Sequence, residues 1–485
     1  MNRTRSNALW TFIITSLALF MVALDNLVVT TALPVIKTDL GATLTDLQWM
    51  VNAYTLTFAV LLLTGAALGD RFGRKRVFLI GMAIFTGGSA LAALAPSTDV
   101  LILARAIQGV GGAFVTPLTL TILSAAMPPE RRAVALGAWG GIAGLAIAIG
   151  PLVGGAIAEG LDWHWIFWLN VPIGLVVIPL AALRLTETHG SDSRLDVPGL
   201  GLISAGLLAL VWGVINGNDL GWDSAQVVAA IAGGAALLVA FVAWELRQTH
   251  PMLPMSFFRS RAFSAANAVS LLMYFGMFGS VFLLSQFFQV VQGYSPFQAG
   301  LRTLPWTGMP IIVAPIAGVL ADRIGGRPIL TAGMALQAVA LAWLAVIVTP
   351  TVAYEAMVVP FILAGIGMGL FFAPIANVVL SAVHLDQEGK ASGATNTIRE
   401  VGGVFGVAVL AAIFSANGDY ATPTAYVAGL QPAIAVGAVV VALGALAALF
   451  IPARAGARAR TTIALDRPTG GRAGEPAYAF AEVDG

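Results

Sequence analysis

Asp25 and Arg105 are the residues of this chain best placed to do chemistry, because each interrupts a long apolar run. An ionised carboxylate in such a run is expensive, so Asp25 is expected to bind and release a proton. Burial and a neighbouring guanidinium act on a carboxyl in opposite directions, so a small change of surroundings would switch its protonation. The plainer alternative is an ion pair, or a hydrogen bond to the backbone, that merely pins helices. Other chemistries lack their residues. The chain has no cysteine, and its four histidines stand far apart at 164, 189, 250 and 384. Thiolate nucleophiles, disulfides and a clustered metal site are therefore not expected. No GxxxxGK[ST] loop is present to cradle a nucleotide, and Gly365-x-Gly367-x-Gly369 lies in mid-run with no strand before it, which reads as packing.

The elements that position these charges follow from composition. Only 10% of residues are charged while 58% are hydrophobic, and 25 basic side chains balance 24 acidic ones. With a mean hydropathy of +0.88 this is a membrane chain with no charge excess to attract nucleic acid. Crossing ~30 Å of hydrocarbon takes roughly 20 apolar residues. Spans are predicted near 9–34, 47–68, 77–95, 100–125, 134–158, 165–184, 198–215, 225–244, 263–292, 302–320, 329–348, 355–381, 392–415 and 431–451. With the N-terminus inside, 21 of the 25 basic residues fall in cytoplasmic segments; outer loops hold only Lys37 and Arg302, and Arg105 and Arg399 fall within spans. That asymmetry supports 14 spans with both termini cytoplasmic. The leading MNRTRSN introduces a retained first span and not a cleaved signal. From Pro452 onward the tail is polar, without apolar period, and is expected to be disordered. At ~1.5 Å per residue, Asp25 lies roughly 24 Å from the cytoplasmic end and Arg105 about 8 Å in from the outer one, so they could meet if spans 1 and 4 are neighbours.

A repeat divides the chain. Gly69-Asp70-Arg71-Phe72-Gly73-Arg74-Lys75-Arg76 follows span 2, and Ala321-Asp322-Arg323-Ile324-Gly325-Gly326-Arg327-Pro328 follows span 10. An offset of eight spans fits two six-helix halves with two helices inserted between them, the arrangement of many secondary transporters. The expected divisions are a cytoplasmic N-terminus over 1–8, one half over 9–184, two inserted spans within 185–250, a second half over 251–451, and a tail over 452–485. The inserted spans carry no mid-span charge and are expected at the periphery.

Four stretches carry a family resemblance: the Gly69–Arg76 loop; Leu101-x-x-x-Arg105-x-x-Gln108-Gly109-x-Gly111; Gly150-Pro151-x-x-Gly154-Gly155; and Leu24-Asp25-Asn26 with Ala32-Leu33-Pro34. In this order they resemble the major facilitator superfamily, in its 14-helix drug:proton antiporter branch. Ala146 in place of a leading glycine, the second loop's few basic residues, and His164 where arginine is usual depart from that pattern. The resemblance implies an all-α membrane protein that is not an enzyme and exports small apolar or cationic organic compounds, drugs and antibiotics among them. Asp25 would carry the coupling proton and Arg105 would tune it. Asp70, Arg71, Gly73 and Arg74, with Asp322 and Arg323, would form a conformational gate, Asp70 clasping the start of the span near 389–392. Gly150, Pro151, Gly154 and Gly155 would seal the exchange path. Asn26, Gln108, Phe275, Phe278, Phe282, Gln286, Phe371 and Asn377 are substrate-binding candidates, since aromatics with few polar groups suit such compounds. The energy source would be the proton gradient, with no cofactor and no metal, in a monomer in the lipid of a bacterial inner membrane. The Ala/Gly/Arg-rich composition points to a high-GC bacterium. An exporter of one metabolite or lipid, an importer of the same fold, and a non-transporting sensor are the alternatives.

Overall fold

The computed structural model describes residues 2–190, 195–249, 251–383 and 387–453; most of the tail, His250 and His384 lie outside them. The chain is a succession of helices: α1 (Asn2–Leu40), α2 (Leu44–Phe72), α3 (Arg74–Ala93), α4 (Thr98–Ala126), α5 (Pro129–Gly160), α6 (Trp165–Trp168), α7 (Asn170–Arg184), α8 (Val197–Leu220) and α9 (Ala225–Glu245). A 3-10 turn over Met255–Arg259 leads into α10 (Arg261–Val290), α11 (Pro296–Thr307), α12 (Met309–Ile324), α13 (Gly326–Ile347), α14 (Tyr354–Ser381), α15 (Glu388–Asn417) and α16 (Pro423–Ala448). Among the described residues fourteen segments are long and apolar enough to cross a membrane, α6 with α7 and α11 with α12 each making one span. Hydrocarbon offers no partner to a backbone amide, so apolar runs of this length must close their hydrogen bonds internally as helices. Polar residues at their starts satisfy the free first-turn amides: Thr43 and Asp46 form a capping box on α2, as do Ser295 and Gln298 on α11.

The repeated loops share their backbone. Gly73 ends α2 with φ +107°, its amide bonded to the Gly69 carbonyl at 3.0 Å; Gly325 ends α12 with φ +85° and its amide on Ala321 at 2.9 Å. Only glycine adopts such torsions without strain, which explains why this position recurs.

The α2–α3 loop marks the end of the bundle called here the basic end. At the opposite end the halves are in close contact. Ser285 and Gln289 of α10 donate to Thr30 and Thr31 carbonyls at 3.1 and 2.7 Å, and Lys37 lies 3.1 Å over the Tyr420 ring. Glu159, at the end of α5, accepts from the Phe297 amide at 3.0 Å and from the Ser295 hydroxyl. A methyl group added to Gly155 would lie 2.2 Å from the Pro296 carbonyl oxygen, and one added to Gly300 would lie 2.3 Å from that of Pro151. Thr307 donates to Ala148 at 2.9 Å. Further along α5 toward the basic end, Gly144, Gly141 and Gly140 have nothing within 4 Å of where a side chain would begin.

The inserted helices were expected at the periphery, and α9 is there, with 17% of its central stretch buried. Helix α8 is placed otherwise. Ile203, Leu207, Val211 and Ile215 pack with Leu56 and Val60 of α2 and with Val404 and Ala408 of α15, filling the seam between the halves. Thr45 donates to Asp219 at 2.9 Å, while Asn218 donates to the Ala412 carbonyl and the Ser415 hydroxyl at 2.5 and 2.6 Å. A helix that is apolar all round reads alike whether lipid or another helix covers it, so its placement carries no mark in the sequence.

Candidate functional site

Asp25 of α1, Arg105 and Gln108 of α4 meet as one buried network. Arg105 is 1% exposed and its Nη1 forms an ion pair with Asp25 Oδ2, while also donating to Gln108 Oε1 at 2.9 Å. Its Nε donates to the Met50 carbonyl at 3.2 Å, and the guanidinium lies 4.2 Å from the centre of the Tyr54 ring. Gln108 Nε2 donates to Asp25 Oδ1 at 3.3 Å and to Ser89 Oγ at 2.7 Å. The three-residue spacing of Arg105 and Gln108 puts both on one face of α4 toward α1.

A fourth member escaped the sequence reading. Asn170, the first residue of α7, donates to Asp25 Oδ1 at 2.8 Å and is 2% exposed. Asp25 thus accepts from a guanidinium and two amides. Breaking a buried ion pair from one side costs about 3–5 kcal/mol. The signal for Asn170 was an amide in the apolar run Ile166-Phe167-Trp168-Leu169-Asn170-Val171, a weaker anomaly than a charge.

Glu400 of α15 reaches the same region from the second half. Its carboxyl neighbours the Asn26 side chain and Arg399, and its Oε2 is buried with no hydrogen-bond partner among the described residues. Asn26 Oδ1 is likewise buried and unpartnered. Arg399 turns to Asn396 and to the Tyr274 ring, 5.2 Å away. The aromatic candidates adjoin this region: Phe278 stacks on Tyr274 at 5.4 Å and Phe371 stands 6.3 Å from Tyr274. Phe278 also lines a small apolar crevice with Leu27, Met277 and Trp306. Phe275 is partly buried, and its carbonyl oxygen lies 2.1 Å from where a Gly406 side chain would begin. Phe282 is fully buried; Gln286 donates to the Phe282 carbonyl at 2.9 Å and accepts from Tyr420 at 2.5 Å. Asn377 is half-buried on α14 toward the basic end.

The basic-end loop is held by its own half. Arg74 pairs with Asp70 at 2.8 Å, Gly190 donates to the Asp70 carbonyl at 3.1 Å, and Arg74 donates to that of Thr188 at 2.9 Å. Glu187 accepts from the Lys75 and Arg76 amides at 2.8 and 3.2 Å, an anion at the start of α3. Among the described residues the partners of Asp70 lie here and not at the start of α15. Arg71 is exposed beside Phe72; Asp322 is half-buried and Arg323 exposed in the second copy. In α5, a side chain on Gly150 would begin 3.0 Å from Leu27 Cβ, and one on Gly154 2.2 Å from the Val28 carbonyl oxygen. His164 stacks on Trp163 and pairs with Asp162, whose carboxyl is held below its usual range chiefly by the His164 amide. Trp163 in turn donates to Asp39 at 2.9 Å.

A family model described as Major Facilitator Superfamily matches residues 15–407. The chain belongs to the Major Facilitator Superfamily. It is similar to the tetracenomycin C resistance and export protein of Streptomyces glaucescens, 34% identical over 84% of this chain and 76% of that one. It is 36% identical to the multidrug resistance protein Stp of Mycobacterium tuberculosis (86% and 77% covered) and 39% identical to a cephamycin export protein of Amycolatopsis lactamdurans (84% and 85%). Solved structures share its fold: an auto-inhibited POT family peptide transporter, with TM-score 0.64 and 16% identity over 90% of this chain and 96% of that one. A bacterial homologue of the human lysosomal transporter Spinster also aligns, with TM-score 0.64 and 16% identity over 93% and 97%. As a superfamily member with 14 spans the protein is a multi-pass membrane transporter of small molecules and not an enzyme.

Proposed function

We propose that this transporter exports small, mostly apolar organic compounds, antibiotics among them, in exchange for protons. The observation that carries the reading is the fully buried Asp25–Arg105 pair with Gln108 and Asn170 around it. Asp25 holds the coupling proton in one state; in the state described its charge is taken up by Arg105 and two amides. Glu400 faces the same site from the other half, with an oxygen free for a second proton or a cationic substrate. Names of relatives that export tetracenomycin and cephamycin support the substrate class. The protein sits in a bacterial cytoplasmic membrane with the basic end inside, as the distribution of arginines favours. In this conformation the outside is shut by the Glu159, Gly155 and Thr307 contacts, and the halves part along α5 toward the cytoplasm. Rocking of the halves would reverse this, with Asp70 free to leave Arg74 for the start of α15.

The test uses inverted vesicles carrying the protein, acidified inside and given lipophilic cations and antibiotics while lumenal pH is followed. Substrate-dependent loss of the gradient, absent in Asp25→Asn, is the expected outcome. Dissipation that persists in Asp25→Asn removes Asp25 from the mechanism. A response to one antibiotic alone assigns a dedicated exporter, the second reading that single-antibiotic names among the relatives favour.

A further inference from the structure

A second pair of carboxyl groups lies outside the transport site, where the hairpin of α8 and α9 closes at the basic end. Asp196 caps α8: its Oδ1 accepts from the Gly199 amide at 2.9 Å and from Trp244 Nε1 at 2.8 Å. Glu245, the last residue of α9, is 2% exposed, and its Oε2 accepts from the Leu253 amide at 3.1 Å. The remaining oxygens, Asp196 Oδ2 and Glu245 Oε1, are buried, and neither has a hydrogen-bond partner among the described residues. They flank a single point. A side chain on Gly199 would begin 2.4 Å from Asp196 Oδ2 and 2.9 Å from Glu245 Oε1, so the two oxygens face the same small space.

We propose that Asp196 and Glu245 share one proton, making the base of the α8–α9 hairpin a proton-binding site separate from Asp25. A carboxylate only accepts, so the two facing oxygens cannot bond to each other while both groups are ionised; with one protonated they close a hydrogen bond. Two buried charges of one sign would repel, and among the described residues no cation pairs with either. Among the described residues the only charged group acting on Glu245 is Asp196; Trp244, Gly199 and Leu253 offer neutral donors, and Arg247 on the following segment is exposed. Gly199 leaves the room that the pair occupies. Through Leu253 the site also holds the segment that enters α10, so three parts of the chain meet there: the start of α8, the end of α9 and the approach to the second half. Release of the proton would force α8 and α9 apart at one end of the seam they fill. The hairpin's grip on α2 and α15 therefore responds to pH at the basic end, whatever Asp25 does.

Detergent denaturation of the purified full-length protein across pH tests this. A proton held by the folded chain and absent from the unfolded one weakens stability as pH rises, about tenfold in the unfolding equilibrium per pH unit. That loss begins above the unfolded glutamate range, about 4.3. Wild type should lose stability relative to Glu245→Gln with that slope, because the amide keeps the hydrogen bond at every pH. A difference that does not vary with pH overturns the proposal. The infrared band of a protonated carboxyl at neutral pH should shrink by one group in Glu245→Gln and equally in Asp196→Asn; a band unchanged in both overturns it as well. Should Glu245→Gln fail to fold, Asp196→Asn, whose amide oxygen still caps α8, carries the same slope measurement. Neither readout requires transport, so the result stands apart from that of the vesicle assay.

Discussion

Asn170 donates to the carboxylate that Arg105 grips, and nothing else in the site replaces that donor. A hydrogen bond to a charged group is worth about 1.5–3 kcal/mol. Asn170→Leu is therefore expected to reduce substrate-dependent proton flux in vesicles roughly tenfold or more, with insertion unchanged. Arg105→Lys should fare nearly as badly as Arg105→Ala, because an ammonium cannot reach Asp25, Gln108 and the Met50 carbonyl together. At the outer edge Asp162 gives a pH test of small size, since it is mostly exposed. Its carboxyl is depressed in the folded protein, so its contribution is present above about 3.9 and lost as pH falls through the lowered value. The melting-temperature difference between Asp162→Asn and wild type should thus be constant at neutral pH and close on acidification. Asp25, Arg105 and Gln108 were legible because a charge in an apolar run announces itself and a three-residue spacing shares a face. Asn170 and Glu187 were not: each takes its meaning from a partner about 110 to 145 residues away.

Helix α5 sets Gly150 and Gly154 against α1 of its own half and Gly155 against the second half, while its glycines toward the basic end stand free. Gly154 and Gly155 stand against backbone atoms of Val28 and Pro296, which cannot shift as a side chain could. Gly155→Val should destabilise by about 1–3 kcal/mol, as overpacking does, and abolish transport; thermal melting and the vesicle assay read both. Gly144→Leu should leave the melting temperature near wild type, since the space beside it is open, yet slow transport if the halves close there in the other state. A melting loss equal to that of Gly155→Val would refute the difference between the two ends. The repeated loop gives a matched pair. Gly73→Ala and Gly325→Ala both place a side chain at positive φ, at about 1–2 kcal/mol. Gly73→Ala should cost more because its side chain would begin 2.7 Å from the Glu187 carboxyl. The glycines could be read as close-packing residues, but which of them are engaged depends on conformation, which composition does not encode.

The two halves were readable from the loop repeat, and the helix count from hydropathy with charge alternation. What the sequence left open is how the halves lean. Glu159 and Ser295 meet across the closed end, and the chain has no cysteine of its own to react. Glu159→Cys with Ser295→Cys, joined by a short cleavable thiol cross-linker, should stop transport, and cleavage should restore it; undiminished transport in the linked protein would remove that closure from the cycle. The place of α8 belongs to this scale too. Adjacent residues near its end grip opposite halves: Asp219 holds Thr45 in the first turn of α2, and Asn218 holds Ala412 and Ser415 on α15. An extended chain spans at most ~3.6 Å per residue, so a tether two residues long has almost no slack. Any swing that parts α2 from α15 at that end must break one grip or stop. In the proposed cycle the insertion would thus act as a travel limit, setting how wide the outer mouth can gape and leaving the direction of the swing to the helices it bridges.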